Sequence, residues 1–222
     1  MTGIQQLPNR EEITSKSEQS LKNWWPVRMD DISHCQVRSC EPKSDEFELV
    51  LPGSFNPLHQ GHLAMADHAA KVYGAGCCFE LSVANVDKPQ LSIEEVQRRM
   101  DQPFGSHGLI ISNAARFVEK STIYRGGVFV VGADTLIRLD DVRYYEDSQQ
   151  KRDDSIGKIA DNGCRFLVFG RMIANKFVDS ENLNIGVRLR GLCEFVSQND
   201  FDMSISSTQI RDANGSGQRS DN

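Results

Sequence analysis

Short apolar runs separated by amphipathic stretches constrain this chain more than any other feature. Leu49-Val50-Leu51, Phe79 to Val83, Leu109-Ile110-Ile111, Val128 to Val131 and Phe166 to Phe169 are brief, β-branched or aromatic, and bounded by glycine or polar residues. Such runs suit strands buried on both faces. Between the first two, Leu63, Ala66, Ala70 and Tyr73 recur at spacings of three and four before Gly74, which predicts an amphipathic helix over 61–73 with a glycine stop. Ser92-Ile93-Glu94-Glu95 reads as a capping box, with Val96 and Met100 on the face of Ile93. Strand runs alternating with helical segments imply an α/β architecture, a parallel sheet with helices on both faces. Ligands of such sheets bind beyond the carboxyl ends of the strands, so the loops directly after each run are the ones to search.

A chain of 222 residues holds one large domain with extensions. No stretch approaches the roughly 18 consecutive apolar residues of a membrane helix, and Met1 to Arg10 lacks the apolar region of a signal peptide. The expectation is a soluble, cytoplasmic protein with no membrane partner. The charge balance, 25 − 31 = −6, disfavours non-specific nucleic-acid binding, which depends on Lys and Arg neutralising phosphates. It leaves room for a local cationic pocket for a small anion. Cys35, Cys40, Cys77, Cys78, Cys164 and Cys193 form no C-x-x-C pair, so zinc-site spacing is absent and reduced, mostly buried thiols are expected. Three regions follow: residues 1–45, a polar extension whose Trp24-Trp25-Pro26 is either a docking strap or the remainder of an upstream domain; 46–212, the domain; and 213–222, a Gly/Ser/Asn-rich tail read as disordered.

The first apolar run leads into Pro52-Gly53-Ser54-Phe55-Asn56-Pro57-Leu58-His59-Gln60-Gly61-His62 and then the helix. Gly53 and Gly61 allow the backbone close to a ligand. His59 and His62 flank a helix entry, where free amides and the helix dipole favour anions. Either histidine alone reads as a surface residue of a polar turn; the complete string after a strand points to phosphate binding. Near the other end, Ile205-Ser206-Ser207-Thr208-Gln209-Ile210-Arg211 puts hydroxyls before a helical turn, with Arg211 one turn on from Ser207 and Thr208.

Gly53 to Pro57 with His59-Gln60-Gly61-His62 resembles the signature of the nucleotidylyltransferase superfamily, most closely that of the nicotinamide/nicotinate mononucleotide adenylyltransferases. The resemblance implies a Rossmann-like nucleotidylyltransferase fold. It implies that Gly53, Ser54, Phe55 and Gly61 line the nucleotide site and that His59 and His62 touch the triphosphate. The element 205–211 resembles the family's I-S-S-T-x-I-R, which implies that Ser207, Thr208 and Arg211 grip the β- and γ-phosphates and favours adenylyl over cytidylyl transfer. Gly132-Ala133-Asp134 resembles the element lining the ribose of ATP. Tyr144-Tyr145 lies where these enzymes carry a ring near the pyridine of the acceptor, although packing tyrosines fit the pattern equally. Lys88 resembles a basic position for the acceptor phosphate or the triphosphate. Arg98 and Arg99 read either as its helpers or as a solvated helix face, and Arg171 is a weaker phosphate candidate. His34, His68 and His107 stand outside any motif.

The chemistry implied is attack by an acceptor phosphate on the α-phosphorus of ATP with loss of pyrophosphate. It needs alignment and charge stabilisation rather than a strong base. Mg²⁺ is expected with the ATP, held by phosphate oxygens and water, with no protein metal ligands. The partners expected are ATP and a phosphorylated small molecule, with a homo-oligomer or an upstream domain as a further possibility. Alternatives are another acceptor such as phosphopantetheine, or a nucleotide-binding module without turnover.

Overall fold

The computed structural model describes residues 18–25, 32–40, 43–44, 48–84, 86, 89–173, 176–179, 181–197 and 199–201. In chain order its elements are β1 (His34–Arg38), β2 (Leu49–Pro52), α1 (Gln60–Tyr73), β3 (Cys77–Ser82), α2 (Ile93–Met100), β4 (Gly108–Ser112), α3 (Phe117–Ile123) and β5 (Val128–Gly132). They continue with α4 (Ala133–Asp140), a 3-10 turn (Val142–Tyr145), α5 (Gln149–Asp161), β6 (Arg165–Phe169), β7 (Arg171–Ile173), β8 (Lys176–Val178), α6 (Val187–Arg190) and β9 (Cys193–Phe195). All five apolar runs are strands, α1 ends at Gly74 in the left-handed region (φ 64°), and the Ser92 hydroxyl caps α2 by accepting from the Glu95 amide.

Seven strands form one sheet in the order β1-β4-β3-β2-β5-β6-β9, parallel throughout except for β1, which pairs antiparallel with β4. β7 and β8 make a separate antiparallel pair. Because side chains alternate along a strand, Leu49 and Leu51 face α1 and α2 through Met65, Ala66, Ala69 and Val96, while Val50 faces the other core with Leu136, Leu139, Ile156 and Ile159 of α4 and α5. The sheet is thus covered by helices on both faces. Burying both faces is why these strands read as unbroken apolar runs.

Two findings depart from the sequence reading. Residues 34–38, placed in the extension before Glu46, add the antiparallel edge strand, whereas Leu21 and the two tryptophans pack on the core of α1 and α2, in line with the docking-strap alternative for Trp24-Trp25. Cys40 and Cys78 form a disulfide with their Cα atoms 5.8 Å apart, correcting the expectation of reduced thiols; Cys35, Cys77, Cys164 and Cys193 are free. The pairing of β1 with β4 creates this proximity, because it brings chain from before the domain to the start of β3. None of the helices among the described residues is long and apolar enough to cross a membrane.

Candidate functional site

Strand order reverses between β2 and β5: the chain moves outward through β3 and β4 on one side and through β6 and β9 on the other. At such a point the loops leave in opposite directions and open a crevice beyond the carboxyl ends. A cleft of about 680 Å³ lies there, lined among others by Gly53, Ser54, His62, Gly132, Asp134 and Arg171. A volume of that size suits a small-molecule ligand.

His59 stands at the N-cap of α1 and His62 in its first turn. The rings stack with centroids 3.7 Å apart and planes at 24°. The His59 amide donates to His62 Nδ1 at 3.4 Å, so the neutral His62 ring carries its proton on Nε2, leaving that N–H free of the turn's own bonding. His62 lines the cleft; His59 is 7% exposed, and neither of its ring nitrogens has a hydrogen-bond partner among the described residues. A buried ring in that condition is stabilised by any ligand or water that reaches it. Burial, then the charge of Arg171, holds the His59 pKa below its ordinary value. Burial, then His59 and Arg171, pushes His62 down to about 3. Both histidines are therefore neutral donors near neutral pH, and the positive charge is supplied by Arg171.

The sign of the pH dependence follows. The folded value of His62, near 3, lies below the ordinary 6.5, so the unfolded chain binds the proton first. The contribution of a neutral buried His62 to stability is complete above about pH 6.5 and is lost as pH falls from there towards 3. The thermal midpoint should fall between pH 7 and pH 4 more steeply in the native chain than in His62→Gln. Parallel profiles in the two proteins would contradict this account.

Asp134 lies in the first turn of α4, and Arg171 opens β7; their side chains meet at 3.4 Å. Gly132 makes room for that pair, since a Cβ there would come within 2.5 Å of Asp134 Oδ1 and 2.9 Å of Arg171 Nε. Those are ends of flexible side chains, so Gly132→Ala should displace the pair rather than unfold the sheet. Expected is at least a tenfold loss of nucleotide affinity by calorimetry with a melting temperature within a few degrees of native. Unchanged affinity would remove the pair from the site.

The sequence-predicted residues divide into three groups. Gly53, Ser54, His62, Gly132, Asp134, Tyr144 and Tyr145 line the one cleft. Behind it, the Phe55 side chain is 1% exposed and packs edge-on against His62, Phe79 and Phe104, so any ligand contact of Phe55 is through its backbone. Gly61 is buried within α1 beside His59. Lys88, Ser207, Thr208 and Arg211 lie outside the described residues. Tyr145 donates its hydroxyl to Leu139 O at 2.9 Å, and Arg138 sits over the Tyr144 ring. Arg98 and Arg99 diverge: Arg98 is largely solvated and paired with Glu95, while Arg99 is buried and donates to Ser54 O at 2.7 Å. Arg99 thus acts as a brace of the first loop.

A buried ion pair that no motif indicated forms part of the cleft wall. Glu80 on β3 is 0% exposed and takes both carboxylate oxygens to Lys120 Nζ on α3, at 2.8 and 2.7 Å. The third ammonium proton goes to Ala114 O at 2.7 Å, and Ser112 Oγ also donates to Glu80. A carboxylate in the middle of a run that otherwise reads as buried on both faces is itself a signal for a paired charge. His107, outside any motif, pairs with Asp67 at 3.0 Å on a second, smaller cavity.

The doubly wound sheet and the cleft at its switch point define a Rossmann-like fold. Residues 50–213 match the family described as cytidylyltransferase-like, and the chain belongs to that family, whose chemistry is of the nucleotidyltransferase type. The chain is also similar to a Schizosaccharomyces pombe protein that carries the provisional description nicotinamide mononucleotide adenylyltransferase, with 32% identity over 124 residues. That match covers 49% of this chain and 48% of the yeast protein, so the chain spans about half the length of the curated relative it matches.

Proposed function

We propose that this protein transfers an adenylyl group from ATP to a phosphorylated acceptor, nicotinamide or nicotinate mononucleotide, and releases pyrophosphate. The observation that carries the reading is the stacked His59–His62 pair at the start of α1, with Arg171 close enough to act on both, at the switch point of the sheet. The order of the two sequence motifs and the description of the yeast relative support the choice of nucleotide and acceptor.

An oxygen of the acceptor phosphate forms the new bond to the α-phosphorus, and the bond to the bridging oxygen breaks as pyrophosphate leaves. That oxygen is already ionised near neutral pH, so the site needs donors and charge where charge develops. His62 Nε2–H and the Arg171 guanidinium provide them. Among the described residues no group of three or more His, Cys, Asp or Glu side chains is placed to hold a metal. A magnesium ion accompanying ATP would be held by the phosphate oxygens and water, and would neutralise part of their charge. Tyr144 and Tyr145, which line the cleft, are the side chains we assign to the acceptor in this reading.

Incubation with Mg²⁺ and ATP or CTP, against nicotinamide mononucleotide, nicotinate mononucleotide and phosphopantetheine in turn, tests this through pyrophosphate release and product mass. The expected product is the adenine dinucleotide of a pyridine mononucleotide. A phosphopantetheine product would overturn the acceptor, a cytidylyl product the nucleotide, and binding of ATP without pyrophosphate in every arm the enzymatic reading itself.

A further inference from the structure

We infer that Gln102, which follows α2 and belongs to no motif, is a positioning residue that sets the angle of the histidine-bearing turn. Its side-chain amide donates to Phe55 O at 2.7 Å, and its side-chain carbonyl accepts from the Leu58 amide at 2.7 Å. One side chain therefore closes the turn from both ends, immediately before His59. Phe55 has φ 43°, in the left-handed region that favours glycine and is costly for a bulky residue. Such a backbone persists only where its surroundings hold it, and here Gln102 takes the carbonyl while Phe79 and Phe104 take the ring. The edge of that ring rests against His62 at 5.2 Å between centroids, so rotation at Phe55 moves the face on which His62 is seated. Arg99, donating to Ser54 O, ties the preceding residue to the same helix. The bonds of Gln102 to the turn run across 44 and 47 residues of sequence, which is why no local pattern displays them.

The catalytic consequence rests on the function proposed above, but the positional claim does not. A misplacement of about 1 Å in a catalytic group can cost about a hundredfold in rate. Gln102→Met keeps the length of the side chain and removes both bonds. Expected are displaced ring Hε1 resonances of His59 and His62 in the NMR spectrum, with those of His34 and His68 in place, and a tenfold to hundredfold fall in kcat/KM for ATP. Gln102→Glu provides the second variant. Its carboxylate still accepts from Leu58 but faces the Phe55 carbonyl without a proton, and protonation restores the donor. The activity of that variant relative to native should therefore rise as pH falls towards 5. Histidine resonances of Gln102→Met that superimpose on the native ones overturn the inference, as does a Gln102→Glu ratio that is flat with pH. If the native chain releases no pyrophosphate, the proposed function fails while the resonances still decide the role of Gln102.

Discussion

His62→Ala should lower the rate of pyrophosphate release by about a hundred- to a thousandfold, the loss typical when one well-aimed donor to a developing oxyanion is removed. The structure gives three reasons for placing the largest effect at this residue. Its Nδ1 is occupied by the His59 amide, which commits the ring proton to Nε2. Its ring is held on both sides, stacked on His59 and edge-on to Phe55, so little reorganisation is needed when charge develops. Its depressed pKa keeps it a neutral donor, and its proton stays in place through the working pH range. Stopped-flow measurement of pyrophosphate at saturating ATP and acceptor reads the chemical contribution; a fall of less than tenfold would remove His62 from catalysis.

Lys120→Met should destabilise the fold by about 3 to 5 kcal/mol, because it leaves the buried Glu80 carboxylate without its counter-charge. For a domain of this size that corresponds to a fall in melting temperature of about 6 to 20 °C. The double variant Glu80→Gln, Lys120→Met removes both charges and keeps an amide that can still bond Ser112, so it should recover most of the loss. A single variant that melts with the native protein would show that the pair contributes nothing. The pair also matters to the cleft. Lys120 holds Ala114 O and Ser82 Oγ donates to the same carbonyl, and the residues that follow, Ala115 and Arg116, line the cleft. Loosening the pair should therefore also disturb the wall of the cleft.

How far the amino-acid string carries the fold differs from element to element. The strands β2 to β6 were legible because burial on both faces demands continuous apolar residues, and α1 and α2 because their caps and periodicities are local. β1 was not legible: an edge strand needs only one partner and one half-buried face, and His34–Arg38 carries little apolar signal. The disulfide escaped for the same reason, since it depends on a pairing between distant strands. Within the site, the histidine turn announced itself through residue types at fixed spacing. Arg171 showed only as a weaker candidate at a strand's end, and Glu80, Lys120 and Gln102 did not show at all, because each is defined by a partner tens of residues away.

The sequence by itself determined which chemical groups this protein possesses and which of them share a turn: hydrogen bonds within a turn and side-chain periodicity depend only on neighbours along the chain. Tertiary structure alone decided that the charge of Arg171 acts on the two histidines, that Glu80 is neutralised from α3, and that the cleft opens between β2 and β5. Those outcomes follow from strand order and helix packing, in which burial of the two apolar sheet faces brings together residues that no local rule connects.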